Sequence, residues 1–211
     1  MMSDERTEHL NQSIAETSYP SEAFKIDPGE VKGRAFSKME SEGFLDELLD
    51  LPEDKQKLVA RAVGNAERVQ IFAERIMESD EGLEMQLPAD YRDALKSSLG
   101  YLNEFQTSLP HFRRKIIDVA RGDGESKEIR QNERIAADAL GRPLYNLRMR
   151  DIRLFSIANT PEPSAEGSLV SNLRKRHQTI LVMEDLANMT YKDLQELGDS
   201  AVNNKKVATQ Q

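Results

Sequence analysis

Residues 52–79 read PEDKQKLVARAVGNAERVQIFAERIMES, and this stretch decides the fold. At 100° per residue, Leu58, Val59, Ala62, Val63, Ala66, Val69, Phe72, Ala73, Ile76 and Met77 fall within a sector of about 180°. Arg61, Arg68 and Arg75 lie on the opposite side, beside Glu67, Glu74 and Glu78. The pattern predicts a helix with an apolar stripe too wide for a single neighbour to cover. At about 1.5 Å per residue it is about 42 Å long. A compact chain of this size is about 43 Å across, so an elongated bundle is expected.

Outward from this helix the same period continues. Residues 88–106 carry Tyr91, Ala94, Leu95, Ser98, Leu99, Leu102 and Phe105 on one face, and Pro110 closes that pattern and opens a further helix. Gly122-Asp123-Gly124 stops it. Residues 125–140 read as helix ending at Gly141. Residues 143–158 suit a helix through Leu144, Leu147, Leu154, Phe155 and Ala158; no second strand-like segment exists to pair with them as sheet. Asn159-Thr160-Pro161-Glu162-Pro163-Ser164 reads as a linker, and 165–187 with 190–197 as a hairpin of two helices closed by Gly198. Towards the N-terminus, Asp27-Pro28-Gly29-Glu30 has the capping Asp, first-turn Pro and Glu of a helix start, predicting a short helix to about Glu42. Residues 1–27 are polar, with isolated apolar residues at no fixed period, and read as an acidic flexible tail.

The expected organisation is therefore a tail over 1–27, a helical body over 28–158, a linker over 159–164, a helical hairpin over 165–198 and a flexible tail over 199–211. The fold class is all-α, an elongated multi-helix bundle whose N- and C-terminal tails are disordered or ordered by a partner.

Composition narrows the function classes. The 211 residues contain no Cys, which excludes disulfides, thiolate nucleophiles and Cys-based metal sites. Three His stand far apart, and none has a Glu three residues before it, so the paired ligands of di-iron bundles are absent. Neither a metal nor another cofactor is expected. His177, on an apolar stripe, reads as a half-buried packing residue. The carboxylate pairs Glu47/Asp50, Glu81/Glu84 and Glu125/Glu128 read as solvated helix faces. Gly122-Asp123-Gly124-Glu125-Ser126-Lys127 follows a helix rather than a strand, which removes a phosphate loop. No run approaches the roughly 20 apolar residues of a membrane span. The first residues are charged, with no leader-like apolar run behind them, and a cytoplasmic location is expected, or a virion for a viral protein.

Charge is segregated along the chain. The net charge is −8 overall, −9 over residues 1–54 and +4 over 111–153. The basic side chains Arg113, Arg114, Lys115, Arg142, Arg148, Arg150, Arg153, Arg174, Lys175 and Arg176 are the candidate contacts to a nucleic acid or an acidic partner. Within this zone Ala137, Gly141 and Leu147 have the spacing of a helix-turn-helix, which residues 136–153 resemble over about 20 residues. Arg142 and Arg150 stand at two positions that this motif usually keeps apolar. The resemblance implies a nucleic-acid-binding regulator. The other reading docks these bases on the acidic N-terminal third, within the chain or in a neighbouring subunit. With no catalytic constellation and long amphipathic helices, the leading expectation is a non-enzymatic protein that binds or assembles with other proteins. An adaptor, an inhibitor or a structural component, itself a homo-oligomer, fits that expectation.

Overall fold

The computed structural model describes residues 4–15, 24–159 and 167–208. The helices run α1 (Asp4–Ala15), α2 (Pro28–Ser41), α3 (Leu45–Leu49), α4 (Glu53–Asp80), α5 (Leu83–Gln86), α6 (Ala89–Arg121), α7 (Ser126–Ala158) and α8 (Leu169–Ala208). No strand occurs among the described residues, and the fold is an all-α multi-helix bundle. None of the described helices is long and apolar enough to cross a membrane.

The helix of residues 52–79 is α4, and it forms the centre. α1, α2, α6 and α8 all pack on it, and Val59, Ala62, Val63, Ala66, Val69 and Ala73 are fully buried. The wide stripe is thus covered within one chain. Its width therefore gives no reason for self-association through that face.

Three breaks read from the sequence lie inside longer helices. α6 and α7 each have 33 residues and α8 has 40, about 60 Å of unbroken helix for α8. Pro110 sits within α6, and Gly141 and Pro143 sit within α7. Pro143 has no amide to donate, which leaves the carbonyl of Ala139 without its helical partner. The Ser108 hydroxyl on α6 stands 2.6 Å from that oxygen and 2.8 Å from Phe105 O, and so replaces the missing donor. Gly141 serves packing rather than a turn. A Cβ there would lie 1.7 Å from Tyr191 Oη on α8. The helix-turn-helix of 136–153 is therefore not formed. Likewise the hairpin expected over 165–198 is one helix that continues to Ala208 through most of the presumed C-terminal tail.

Part of the flexible tail expected over 1–27 is helical instead. Asp4–Ala15 is a helix that packs on α4, with Leu10 and Ile14 fully buried. Gly64 allows this crossing, since a Cβ there would lie 2.7 Å from the carbonyl oxygen of Ile14. Arg68 then donates to Ile14 O (2.7 Å) and Ala15 O (3.0 Å), carbonyls that the end of α1 leaves open. The same device recurs twice. Lys55 donates to Ala120 O (2.6 Å) at the end of α6, and Arg174 to Ala158 O (3.1 Å) at the end of α7. A cation at a helix C-terminus satisfies a carbonyl and opposes the helix dipole together.

The cap at Asp27 forms as expected, its side chain accepting from the Gly29 amide at 3.1 Å. Gly122 ends α6 at φ 70°, in the left-handed region. The Glu125/Glu128 pair is a reciprocal capping box at the start of α7. Residues 160–164 of the expected linker, 1–3 and 16–23 of the N-terminal tail, and 209–211 lie outside the described residues.

Candidate interaction face

The basic zone divides into an inward and an outward set. Arg113 is buried, its guanidinium held by Glu67 at 2.8 Å and by Glu42. Burial pushes the Glu67 carboxyl above its usual range, against the pull of Arg113 and of Arg34, whose Nε lies 3.8 Å away. Arg34 in turn forks onto Glu74 at 2.7 and 2.6 Å, and that hydrogen bond holds the Glu74 carboxyl low. Arg114 and Arg121 share Glu47 at 2.7 and 2.8 Å, and Lys115 binds Asp118 (2.9 Å) and Asn132 (3.2 Å). Glu42 and Glu47 belong to the acidic N-terminal third. Residues 113–114 of the basic zone thus meet it inside the chain.

A second inward cluster joins four helices. Arg176 on α8 shares its Nε–H between the two carboxylate oxygens of Asp80 at the end of α4 (3.1 and 3.0 Å), and its other nitrogens donate to Asp151 on α7 and to the Ser98 hydroxyl on α6. All four are buried. Desolvation raises the Asp80 carboxyl, with Arg176 opposing and Asp151 adding to the rise. His177 Nδ1 shares a hydrogen bond with Asp151 Oδ2 at 2.5 Å, and the ring stacks on Phe155 at 4.1 Å. Ser98, His177 and Asp151 have the residue types of a nucleophilic triad but not its order. The serine oxygen is sealed in the core and accepts from Arg176, so no substrate carbonyl reaches it. The arrangement ties four helix segments together.

Exposed basic residues remain on α7. Leu140, Leu144, Leu147, Asp151, Leu154 and Ala158 point inward. Arg142, Tyr145, Met149 and Ile152, at i, i+3, i+7 and i+10, share the opposite face. Tyr145 is 62% exposed, Met149 52% and Ile152 47%; Leu181 on the neighbouring α8 is 36% exposed. Scattered exposed apolar residues are ordinary, but these repeat at helical spacing along one face. Arg148 borders the face where it meets Glu184 of α8 at 2.8 Å, and burial raises the Glu184 carboxyl. Arg153 reaches the carbonyl of Asp90 at 3.0 Å and lies 5.8 Å from the Tyr91 ring. Arg142 and Arg150 are exposed and pair with no carboxylate among the described residues. The face continues into a groove of about 240 Å³ between α7 and α8, floored by Leu144, Ala187 and Tyr191. The Tyr191 hydroxyl is pushed up to about 12, mainly by burial, and stays neutral.

Of the remaining candidates, Arg174 caps α7 and Lys175 is exposed beside a separate cavity. Among the described residues, no three His, Asp or Glu side chains are placed to hold a metal. Tyr145, Met149 and Ile152 were not among the contact residues expected from the sequence. Their signal was the 3-4-3 spacing from Arg142, a second stripe opposite the one that packs. No family model, curated protein or solved structure matches this chain.

Proposed function

We propose that this protein works without catalysis, by holding an acidic amphipathic helix of a partner protein on the outer face of α7. The observation that supports the reading is the stripe of Tyr145, Met149 and Ile152, with Arg142 on the same face and Arg148 at its border. Tyr, Met and Arg are the side chains enriched at protein interfaces: they supply apolar area and charge-assisted hydrogen bonds together. The excess of cations in this part of the chain selects the sign of the partner. Its apolar residues would face the stripe and its carboxylates would reach Arg142 and Arg150. On this reading the protein would be an adaptor, an inhibitor or an assembly component, acting in the cytoplasm or in a virion.

The test is affinity capture from the native host with the wild type and with a Tyr145→Glu/Met149→Glu variant. Each captured protein is then purified and titrated against both forms. A partner whose contacting segment is helical and acidic, bound at least about tenfold more weakly by the variant, supports the proposal. Three outcomes overturn it. The variant retains every partner; or light scattering shows that the stripe closes a homodimer; or a duplex or single strand binds with submicromolar affinity at physiological salt.

A further inference from the structure

A cavity of about 290 Å³ opens between the C-terminal half of α4 and the N-terminal half of α8, away from the α7 face. Phe72, Ile76 and Thr179 line it from buried positions, and Phe24 forms a wall, its ring edge-on to Phe72 at 6.4 Å. Arg176 also borders it, but its nitrogens are engaged by Asp80, Asp151 and Ser98. The two remaining cations are placed differently. Arg75 and Lys175 come from opposite helices and stand exposed beside the cavity, with the Arg75 guanidinium 5.8 Å from the Phe72 ring centroid. Neither forms an ion pair with a carboxylate among the described residues. Glu74 is engaged by Arg34, and Glu78 makes no pair with Arg75.

Two like charges over an aromatic-walled hollow define a ligand chemistry. We propose that this cavity binds a small amphipathic anion. Its apolar or aromatic body lies against Phe24, Phe72 and Ile76, and its carboxylate or phosphate lies between Arg75 and Lys175. The Ser79 and Thr179 hydroxyls donate to Ile76 O and Lys175 O, both at 2.9 Å, which leaves them as acceptors and not as anion donors. The Asn172 amide, one N–H of which donates to Gly167 O at 3.3 Å, is a neutral donor at the rim, and the charge for the head group comes from the two cations. The volume is at the lower end of small-molecule pockets, which limits the ligand to about one ring with a short substituent.

The experiment is isothermal titration of the full chain with phenyl phosphate, phenylacetate, inorganic phosphate and benzyl alcohol. One site per chain for phenyl phosphate or phenylacetate, with Kd below about 1 mM, is expected. Which of the two binds more tightly identifies the head group. Inorganic phosphate and benzyl alcohol, each carrying half of the chemistry, bind at least about tenfold more weakly. Arg75→Gln/Lys175→Gln weakens binding about tenfold or more and leaves the circular dichroism spectrum unchanged, since both positions are exposed. Phe24→Ala weakens the aromatic probes and leaves the response to inorganic phosphate as it was. The proposal fails if neither aromatic anion binds, as when the chain's own acidic residues fill the mouth. It fails equally if inorganic phosphate binds as tightly as phenyl phosphate, or if the double glutamine variant binds like the wild type.

Discussion

Arg113 and Arg176 are buried with two carboxylates each, whereas Arg142 and Arg150, from the same basic part of the chain, face solvent with none among the described residues. Composition does not separate these four side chains. Helix phase does: Arg113 and Arg176 lie on faces that meet neighbouring helices, and Arg142 lies opposite Leu140 and Leu144 on α7. A buried guanidinium must be paired because desolvation is costly, so the first two became internal ties. The others are left to act on something else.

The largest expected effect breaks the buried side of this contrast. Arg176→Met leaves Asp80 and Asp151 facing each other in the core without a cation, and destabilises by about 3–5 kcal/mol in denaturant melts. Arg113→Met behaves similarly through Glu67 and Glu42. Asp80→Asn is milder, because Arg176 keeps Asp151, and its effect depends on pH with a definite sign. Burial raises the folded-state Asp80 carboxyl above its usual 3.8. The stability it contributes is therefore present below that value and is lost as pH rises through the raised one. The amide introduced by this substitution mimics the protonated carboxyl. The midpoint of Asp80→Asn relative to the wild type should thus be more favourable at about pH 7 than at about pH 4. A constant difference across that range would show that Asp80 titrates as it does in the unfolded chain.

How much of this was legible depended on where the deciding atoms lie. The stripe of α4, the cap at Asp27 and the stop at Gly122 are local, and each was readable from a few neighbouring residues. Gly141 and Pro143 carry local breaking signals that distant atoms override: Ser108 serves the carbonyl that Pro143 orphans, and Tyr191 fills the space beside Gly141. The helix of Asp4–Ala15 has few apolar residues; its order comes from Gly64 and Arg68, some fifty positions away. The basic residues of the candidate site were visible as a list. Their division into ties and exposed contacts needed the register of α6, α7 and α8.

An intermediate effect tests the long-helix correction on which that register rests. Ser108→Ala leaves the carbonyl of Ala139 without a donor and costs about 1–3 kcal/mol. In a Pro143→Ala background the new amide at 143 reaches the same carbonyl, and Ser108→Ala costs much less. The double-mutant cycle should therefore show coupling of at least about 0.5 kcal/mol. Independent, additive costs would mean that Ser108 does not serve the proline gap.

The smallest expected effect is on the exposed side. Arg142→Gln/Arg150→Gln removes two charges that hold no ion pair among the described residues, so nothing buried loses a partner. The thermal midpoint should move by less than about 2 °C. Removing two like charges from a basic stretch relieves a little repulsion, so any shift should be upward and should shrink as salt is added. The same variant should weaken binding of the acidic partner, with a loss that is largest at low ionic strength, because these contacts are screened where the buried ties are not. A midpoint that falls by about 6 °C or more would place Arg142 or Arg150 among the internal ties. The contrast between the two sets of arginines would then collapse, and with it the reason for assigning the outer face of α7 to a partner.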